Sequence, residues 1–261
     1  MIIGISGKIN SGKDLIGDII QYLIDMKSDP TSKLSFDDWL LCHDSFRKES
    51  CTGWQIRKFA DKLKEIICLL IGCTREQLED RVFKDTVLGE EWWYCQYDRN
   101  GQLINYKDAL DGAEVTKLTP RLLLQLLGTQ CGRQIIHPNI WVNSLFAEYK
   151  EYHSYASISM LSTNTEKVYL QNWIITDVRF YNEVQAIKDK GGIVIRVNRP
   201  SWIKDQEKQI LKEQWNHEIK EHESETALDN WYFPHVISND GSIEDLVEKV
   251  RTILISEKII S

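Results

Sequence analysis

The chain has 261 residues, a length that allows one large domain or two small ones, and its 42% apolar content is enough for a sizeable core. A net charge of −7 with no basic tract to offset it argues against non-specific nucleic-acid binding, and no segment is apolar for long enough to span a membrane. Six cysteines (Cys42, Cys51, Cys68, Cys73, Cys95, Cys131) form no C-x-x-C pair and no regular framework, and no secretory leader precedes them, so the expectation is a soluble cytoplasmic protein with reduced thiols.

Ile2, Ile3 and Ile5 predict a short buried strand, a loop containing Gly7 and Gly12 follows, and Leu15, Ile16, Ile19, Ile20 and Leu23 recur at helical spacing. Strand, glycine loop, Gly-Lys and helix form the pattern of a phosphate-binding loop over residues 7–14. Glycines let the backbone turn its N–H groups around a polyphosphate, and the helix start adds unsatisfied donors. Lys13 places a cation where charge builds on the β- and γ-phosphates. Asp14 departs from the pattern, because Ser or Thr normally follows the lysine and ligates Mg²⁺. A carboxylate is a good ligand for a hard cation, directly or through water, but it also brings negative charge near the phosphates. A glycine-rich turn without chemistry is the plainer alternative; the strand before and the helix after favour a nucleotide-phosphate site.

Residues 28–50 read as irregular, with a short helix near Asp37–Leu41. Trp54, Ile56 and Phe59 alternate as in a strand, and Leu63, Ile66, Ile67, Leu70 and Ile71 predict a helix closed by Gly72. Thr74 and Gln77 have capping-box spacing and start another helix, so a parallel β–α sheet is growing. Between 90 and 107, Trp92, Trp93, Tyr94, Tyr97 and Tyr106 flank Asn100-Gly101, the signature of a β-hairpin insertion whose aromatics pack across the strands or stack on a base.

Thr119-Pro120 starts a helix carrying Leu122, Leu123, Leu126 and Leu127, which presents Arg121, Gln125 and, just past Gly128, Arg133. Residues 140–152 read as a further helix and 155–165 as a loop. Trp173 to Asp177 reads as a buried strand, with Asp177 and Arg179 at its carboxyl end, where open α/β sheets bind ligands. Capping of the following helix is the competing role for Asp177. Gly191-Gly192 turns into a strand over 193–197, residues 201–230 are a charged insertion, helical around 207–221, and Val236 to Ser238 is a last strand before a terminal helix.

Four blocks carry a resemblance: Ser6-Gly7-Lys8 with Ser11-Gly12-Lys13-Asp14; Phe59-Ala60 with Leu63-Lys64; Arg121 to Gln125 with Leu127-Gly128-Thr129, Arg133 and Trp141; and Asp177-x-Arg179 with Glu183. Glu223-Ser224-Glu225-Thr226 and Asn239-Asp240-Gly241-Ser242 fit as a weaker tail. On these the chain resembles the deoxynucleoside monophosphate kinases of tailed bacteriophages, of the T-even type. Asp after the loop lysine belongs to that likeness, whereas Leu15 stands where those enzymes have Thr.

The resemblance implies an α/β P-loop kinase of the nucleoside monophosphate kinase type, three-layered around a central parallel sheet. It would be one domain over 1–261, with the hairpin insertion at 90–107 and a helical lid at 200–230. The implied reaction moves the γ-phosphoryl group of ATP, with Mg²⁺, to a deoxynucleoside 5′-monophosphate in the host cytoplasm. ATP would be held by Gly7, Lys8, Asn10, Ser11, Gly12, Lys13, Asp14, Asn239 and Gly241, and the acceptor by Lys64, Arg121, Gln125, Arg133, Asp177, Arg179 and Glu183. Lys13, Arg121 and Arg133 would act in catalysis, with Mg²⁺ at Asp14 or, through water, at Asp177. The implied partners are small-molecule nucleotides, not nucleic acid or membrane, and a homodimer is left open. The rival readings are a P-loop kinase for another phosphorylated small molecule, such as dephospho-coenzyme A or phosphomevalonate, and a non-catalytic ATP-sensing module.

Overall fold

The computed structural model describes residues 1–29, 31–44, 53–95, 104–108, 114–155, 166–200 and 223–260. The expected hairpin tip at Asn100-Gly101, the loop over 156–165 and the helix over 207–221 lie outside the described residues. In chain order the elements are β1 (Ile2–Gly7), α1 (Lys13–Ser28), α2 (Phe36–Asp44), β2 (Trp54–Arg57), α3 (Asp61–Ile71), α4 (Arg75–Glu79), α5 (Arg81–Asp85), β3 (Trp93–Cys95), β4 (Ile104–Asn105), β5 (Val115–Lys117) and α6 (Pro120–Gln125). A π-helix, Leu126–Ile136, continues α6, followed by α7 (Ile140–Phe146), β6 (Glu151–Tyr155), β7 (Glu166–Leu170), β8 (Asn172–Val178), α8 (Tyr181–Asp189), β9 (Ile193–Asn198), α9 (Glu223–Thr226), β10 (His235–Ser238) and α10 (Ile243–Ser256). They form two compact units, Met1–Phe59 with Phe146–Ser261, and Ala60–Leu145.

The first unit is built on a five-stranded sheet in the order β10-β9-β1-β8-β2, every neighbouring pair parallel. Its strands read as apolar runs because both faces are covered. Ile3 and Ile5 of β1, Ile195 and Val197 of β9 and Ile237 of β10 share one core with Ile16, Ile19, Ile20, Leu23 and Ile24 of α1 and Leu246, Val247, Val250 and Leu254 of α10. The α1 stripe has the i, i+3, i+4, i+7 spacing of one helix face. On the opposite face α8 packs so close that a Cβ on Gly4 would come within 2.6 Å of the Ile187 side chain. Helix, sheet, helix is the three-layer α/β arrangement expected from the sequence. Every strand of the sheet points its carboxyl end to one edge, so the loops after β1, β2, β8, β9 and β10 meet there.

One expectation about the chain from residue 140 onwards needs correction. The helix read over 140–152 stops at Phe146, and residues 151–155 are instead a strand paired antiparallel with β7. The aromatic and β-branched residues of 151–155 and 166–170 suit a two-stranded ribbon better than a helix.

In the second unit, Leu63, Ile67, Leu78 and Trp141 form the core, with Leu123, Leu124 and Leu127 packed against it. Thr74 and Gln77 make the reciprocal capping box read from their spacing, and Thr119 caps α6 with Pro120 in its first turn. The helix runs on past Gly128: it widens into the π-helix and continues to Ile136, so Arg133 is helical. Gly128 serves packing, since a Cβ there would meet the Leu63 side chain at 2.8 Å while its carbonyl accepts the Trp141 indole N–H at 2.7 Å. β3 pairs antiparallel with both β4 and β5, a three-stranded sheet where the sequence suggested only a hairpin. Trp93 and Tyr106 pack ring to ring at 5.4 Å, with Lys117 over Trp93 at 4.4 Å, so packing accounts for these aromatics.

Candidate active site

The loop between β1 and α1 closes tightly on itself. Gly12, at φ 94°, lies in the left-handed region, and a Cβ on Gly7 would fall 2.4 Å from Ser11 Oγ and 2.8 Å from the Val197 carbonyl, so only glycine fits either position. Lys13 folds back over the loop and donates to the Gly7 and Lys8 carbonyls at 2.8 and 2.6 Å. Burial, and after it the nearby Arg179, lowers the Lys13 ammonium to about 8, against the opposing pull of Glu225, Asp14 and Asp177. Ser11 Oγ is buried without a hydrogen-bond partner among the described residues. Asn10 takes a positive φ of 60°, and its carbonyl accepts from Arg199 at 3.0 Å. These residues of the expected ATP set are thus gathered around one loop.

Other members of that set hold the loop. Asn239 donates its side-chain amide to the Ser11 carbonyl at 3.0 Å and its backbone N–H to the Asn198 carbonyl at 2.7 Å, tying the loops after β9 and β10 to the phosphate-binding loop. Gly241 adjoins Asp245, whose carboxylate a Cβ at Gly241 would meet at 2.6 Å. Lys8 is ion-paired with Asp229 at 2.9 Å, and Arg196 reaches the same carboxylate at 3.1 Å.

Asp14 is the meeting point of three segments. Its Oδ1 accepts from Thr176 Oγ1 on β8 at 2.8 Å and from Lys58 Nζ, just past β2, at 2.8 Å. Partial burial works against its ionisation, yet Lys58, the Thr176 hydroxyl and Lys13 outweigh that and hold the carboxyl below its ordinary value. Asp177 accepts the Phe59 backbone N–H at 2.8 Å, which fixes the chain beside Lys58. Capping of α8 falls to Glu183 instead, whose Oε2 accepts the N–H groups of Arg179 and Phe180 at 2.6 and 3.1 Å. Glu183 is 1% exposed. The carboxylate is thus engaged at the helix start, beside Arg179. Arg179 pairs with Glu225, and Glu225 also accepts the Ile9 N–H at 2.6 Å.

The second unit holds the remaining candidates. Glu79 Oε1 receives Lys64 at 2.6 Å and Arg75 at 2.9 Å, and its Oε2 lies 3.6 Å from Lys84. Arg121 grips Asp85 with both Nε and Nη2, at 2.6 and 2.9 Å. The Lys84 ammonium is lowered by burial first, and the charges of Lys64 and Arg121 act on it as well, so Lys64, Lys84 and Arg121 belong to one basic cluster. Gln125 is the last residue of α6, and Arg133 is half-buried in the last turn of the π-helix.

Partial burial opposes ionisation of Glu79, but Lys64 and Arg75 hold its carboxyl below the ordinary 4.5. A depressed carboxyl stabilises the fold above its unfolded value and loses that contribution as pH falls through the folded one. Thermal unfolding between about pH 7 and about pH 3 is therefore expected to lower Tm less in Glu79→Gln than in the unaltered chain. Equal losses would exclude Glu79 as an acid-sensitive tie.

Sequence reading assigned no role to Lys58, Thr176, Arg199 or Glu225 in the first unit, or to Arg75 and Lys84 in the second, although Glu225 stood in the weaker tail block. Lys58 directly precedes Phe59 of the second sequence block, so its place after a strand was legible but its partner was not.

The family model described as deoxynucleotide monophosphate kinase matches residues 60–250. A curated relative, the deoxynucleoside-5'-monophosphate kinase of Escherichia phage T5, is 22% identical over 267 positions, covering 92% of this chain and 89% of that protein. The family match begins after the phosphate-binding loop, which rests on its own motif and geometry. Among the described residues, no helix is long and apolar enough to cross a membrane.

Proposed function

The chain belongs to the deoxynucleotide monophosphate kinase family, and from that premise we propose that it transfers the γ-phosphoryl group of ATP, with Mg²⁺, to a deoxynucleoside 5′-monophosphate, giving the diphosphate and ADP. The observation that carries the reading is the loop at the end of β1, where the Lys13 ammonium and the unpartnered, buried Ser11 hydroxyl sit among glycines that leave no room for a Cβ. A buried hydroxyl without a partner, beside a cation, suits a polyphosphate. Small-molecule nucleotides of the host cytoplasm, destined for DNA synthesis, are then the partners.

The donor set fits Mg²⁺ carried in by the phosphates rather than caged by protein. Among the described residues no group of three or more His, Cys, Asp or Glu could hold a metal. Asp14 supplies one carboxylate, with both of its protein contacts on Oδ1. One carboxylate plus substrate phosphates is the usual setting for Mg²⁺, with Asp177 a second contact through water. When bound, Mg²⁺ neutralises charge across the β- and γ-phosphates.

The chain's own residues position the reactants. Lys13 leaves its carbonyl partners for the β- and γ-phosphates, and the loop N–H groups hold those phosphates in place. Lys64, Arg121 and Arg133 neutralise the acceptor phosphate and the group in transfer, Lys64 and Arg121 trading their Glu79 and Asp85 partners for it, while Gln125 and Arg179 contact the acceptor. No general base is needed, because a nucleotide phosphate is already anionic at neutral pH.

The test is ADP release from ATP·Mg²⁺ with dGMP, dTMP, dCMP or dAMP, alongside GMP and UMP. Turnover with one or more deoxynucleotides is expected. Activity confined to dephospho-coenzyme A or phosphomevalonate would overturn the acceptor assignment, and ATP binding without turnover on any acceptor would make the chain a sensor.

A further inference from the structure

A carboxylate directly after the loop lysine raises a physical difficulty. A Ser or Thr hydroxyl there is neutral, whereas Asp14 brings a negative charge to a site that must take up a polyanion. The structure answers with a cation of its own. Lys58 Nζ lies 2.8 Å from Asp14 Oδ1, and the Thr176 hydroxyl lies 2.8 Å from the same oxygen.

The three groups are held from separate directions. Thr176 is 1% exposed on β8, and α1 runs close beside it because Gly17 has no side chain: a Cβ there would meet Thr176 Cγ2 at 2.7 Å. Lys58 extends from backbone anchored one residue later by the Phe59 N–H to Asp177 bond. The Lys58 side chain is 27% exposed and that of Asp14 69% exposed, so the pair lies at the rim of the site and can open without unpacking the core. With both contacts on Oδ1, Oδ2 has no protein partner among the described residues, and the carboxylate is open to a ligand from that side.

We propose that Lys58 is an internal stand-in for the divalent cation at Asp14: it neutralises the carboxylate while metal is absent and yields it when a metal–nucleotide complex binds. The inference rests on the reading that the loop binds Mg·ATP. It makes Lys58 a positioning residue, acting on the nucleotide through Asp14.

The test is calorimetric titration of ADP, once in EDTA and once with excess Mg²⁺, into the unaltered chain, Lys58→Met, Lys58→Arg, Asp14→Asn and the Lys58→Met/Asp14→Asn double variant. The quantity read is the ratio of the metal-free Kd to the Mg²⁺ Kd. In Lys58→Met metal-free ADP meets an unneutralised Asp14, so the ratio is expected to rise about fivefold, the scale of one part-exposed ion pair. Lys58→Arg is expected to keep the ratio, and Lys58→Met is expected to leave it unchanged when Asp14 is already Asn. A general phosphate-binding or purely structural role for Lys58 would weaken both titrations equally; an unchanged ratio in Lys58→Met, or the same rise without Asp14, overturns the proposal. Failure of the unaltered chain to bind ADP in either buffer would instead sink the nucleotide site itself.

Discussion

Replacing Lys13 by alanine is expected to lower kcat about a thousandfold, the scale of losing one preorganised group that stabilises charge developing in the transition state. Lys13 is 9% exposed, and its ammonium is held against the loop by the Gly7 and Lys8 carbonyls. Arg179 acts on it electrostatically but is engaged by Glu225, and Lys8 is engaged by Asp229. The fold should survive. Lys13 lies at the first residue of α1, where alanine is tolerated. ADP release measured with the best deoxynucleotide acceptor, alongside circular dichroism to confirm folding, decides the matter. A folded Lys13→Ala chain with turnover within about tenfold of the unaltered one would remove Lys13 from the chemistry.

The largest stability effect is expected at Trp173. It is the largest fully buried side chain among the described residues, near the start of β8, the strand that carries Thr176 and Asp177 toward its other end. Its ring stacks on Phe146 at 6.0 Å and 15°, meets Tyr149 edge-on at 4.8 Å, and lies under the Arg57 guanidinium at 5.3 Å. Truncation to alanine removes a transfer contribution and leaves a cavity that a β-strand in mid-sheet cannot collapse into, so a loss of about 3–5 kcal/mol is expected. The indole N–H has no hydrogen-bond partner among the described residues. Trp173→Phe therefore leaves no carbonyl stranded and should cost clearly less than Trp173→Ala. Denaturant melts followed by far-ultraviolet circular dichroism give both numbers. If Trp173→Ala cost under about 1 kcal/mol, the aromatic cluster would not be the anchor of this sheet.

What the sequence by itself determined is what depends on neighbours along the chain. The phosphate-binding loop is contiguous, so Gly7, Gly12 and Lys13 could be placed before any fold was known. Likewise the caps at Thr74 and Thr119 bond only to residues three positions on, and the structure places each as its spacing implied. Apolar runs identified β1, β8 and β9 because a parallel sheet covered on both faces leaves no polar alternation to confuse the reading. The tertiary structure alone decided who partners whom. Asp14, Lys58 and Thr176 come from three segments that meet only because β1, β8 and β2 lie side by side in the sheet. Glu183 and Asp177 look equivalent in sequence, two acids near a helix start; the fold sends one to the helix and the other across to Phe59. Arg75, Lys84 and Glu79 read as ordinary surface charges until α3 and α6 bring Lys64 and Arg121 into the company of α4 and α5. The reason is that hydrophobic patterning records which face of an element is buried, whereas a charged side chain carries no mark of its partner. Charges find their partners only after burial of the apolar faces has fixed which strand and helix ends lie together.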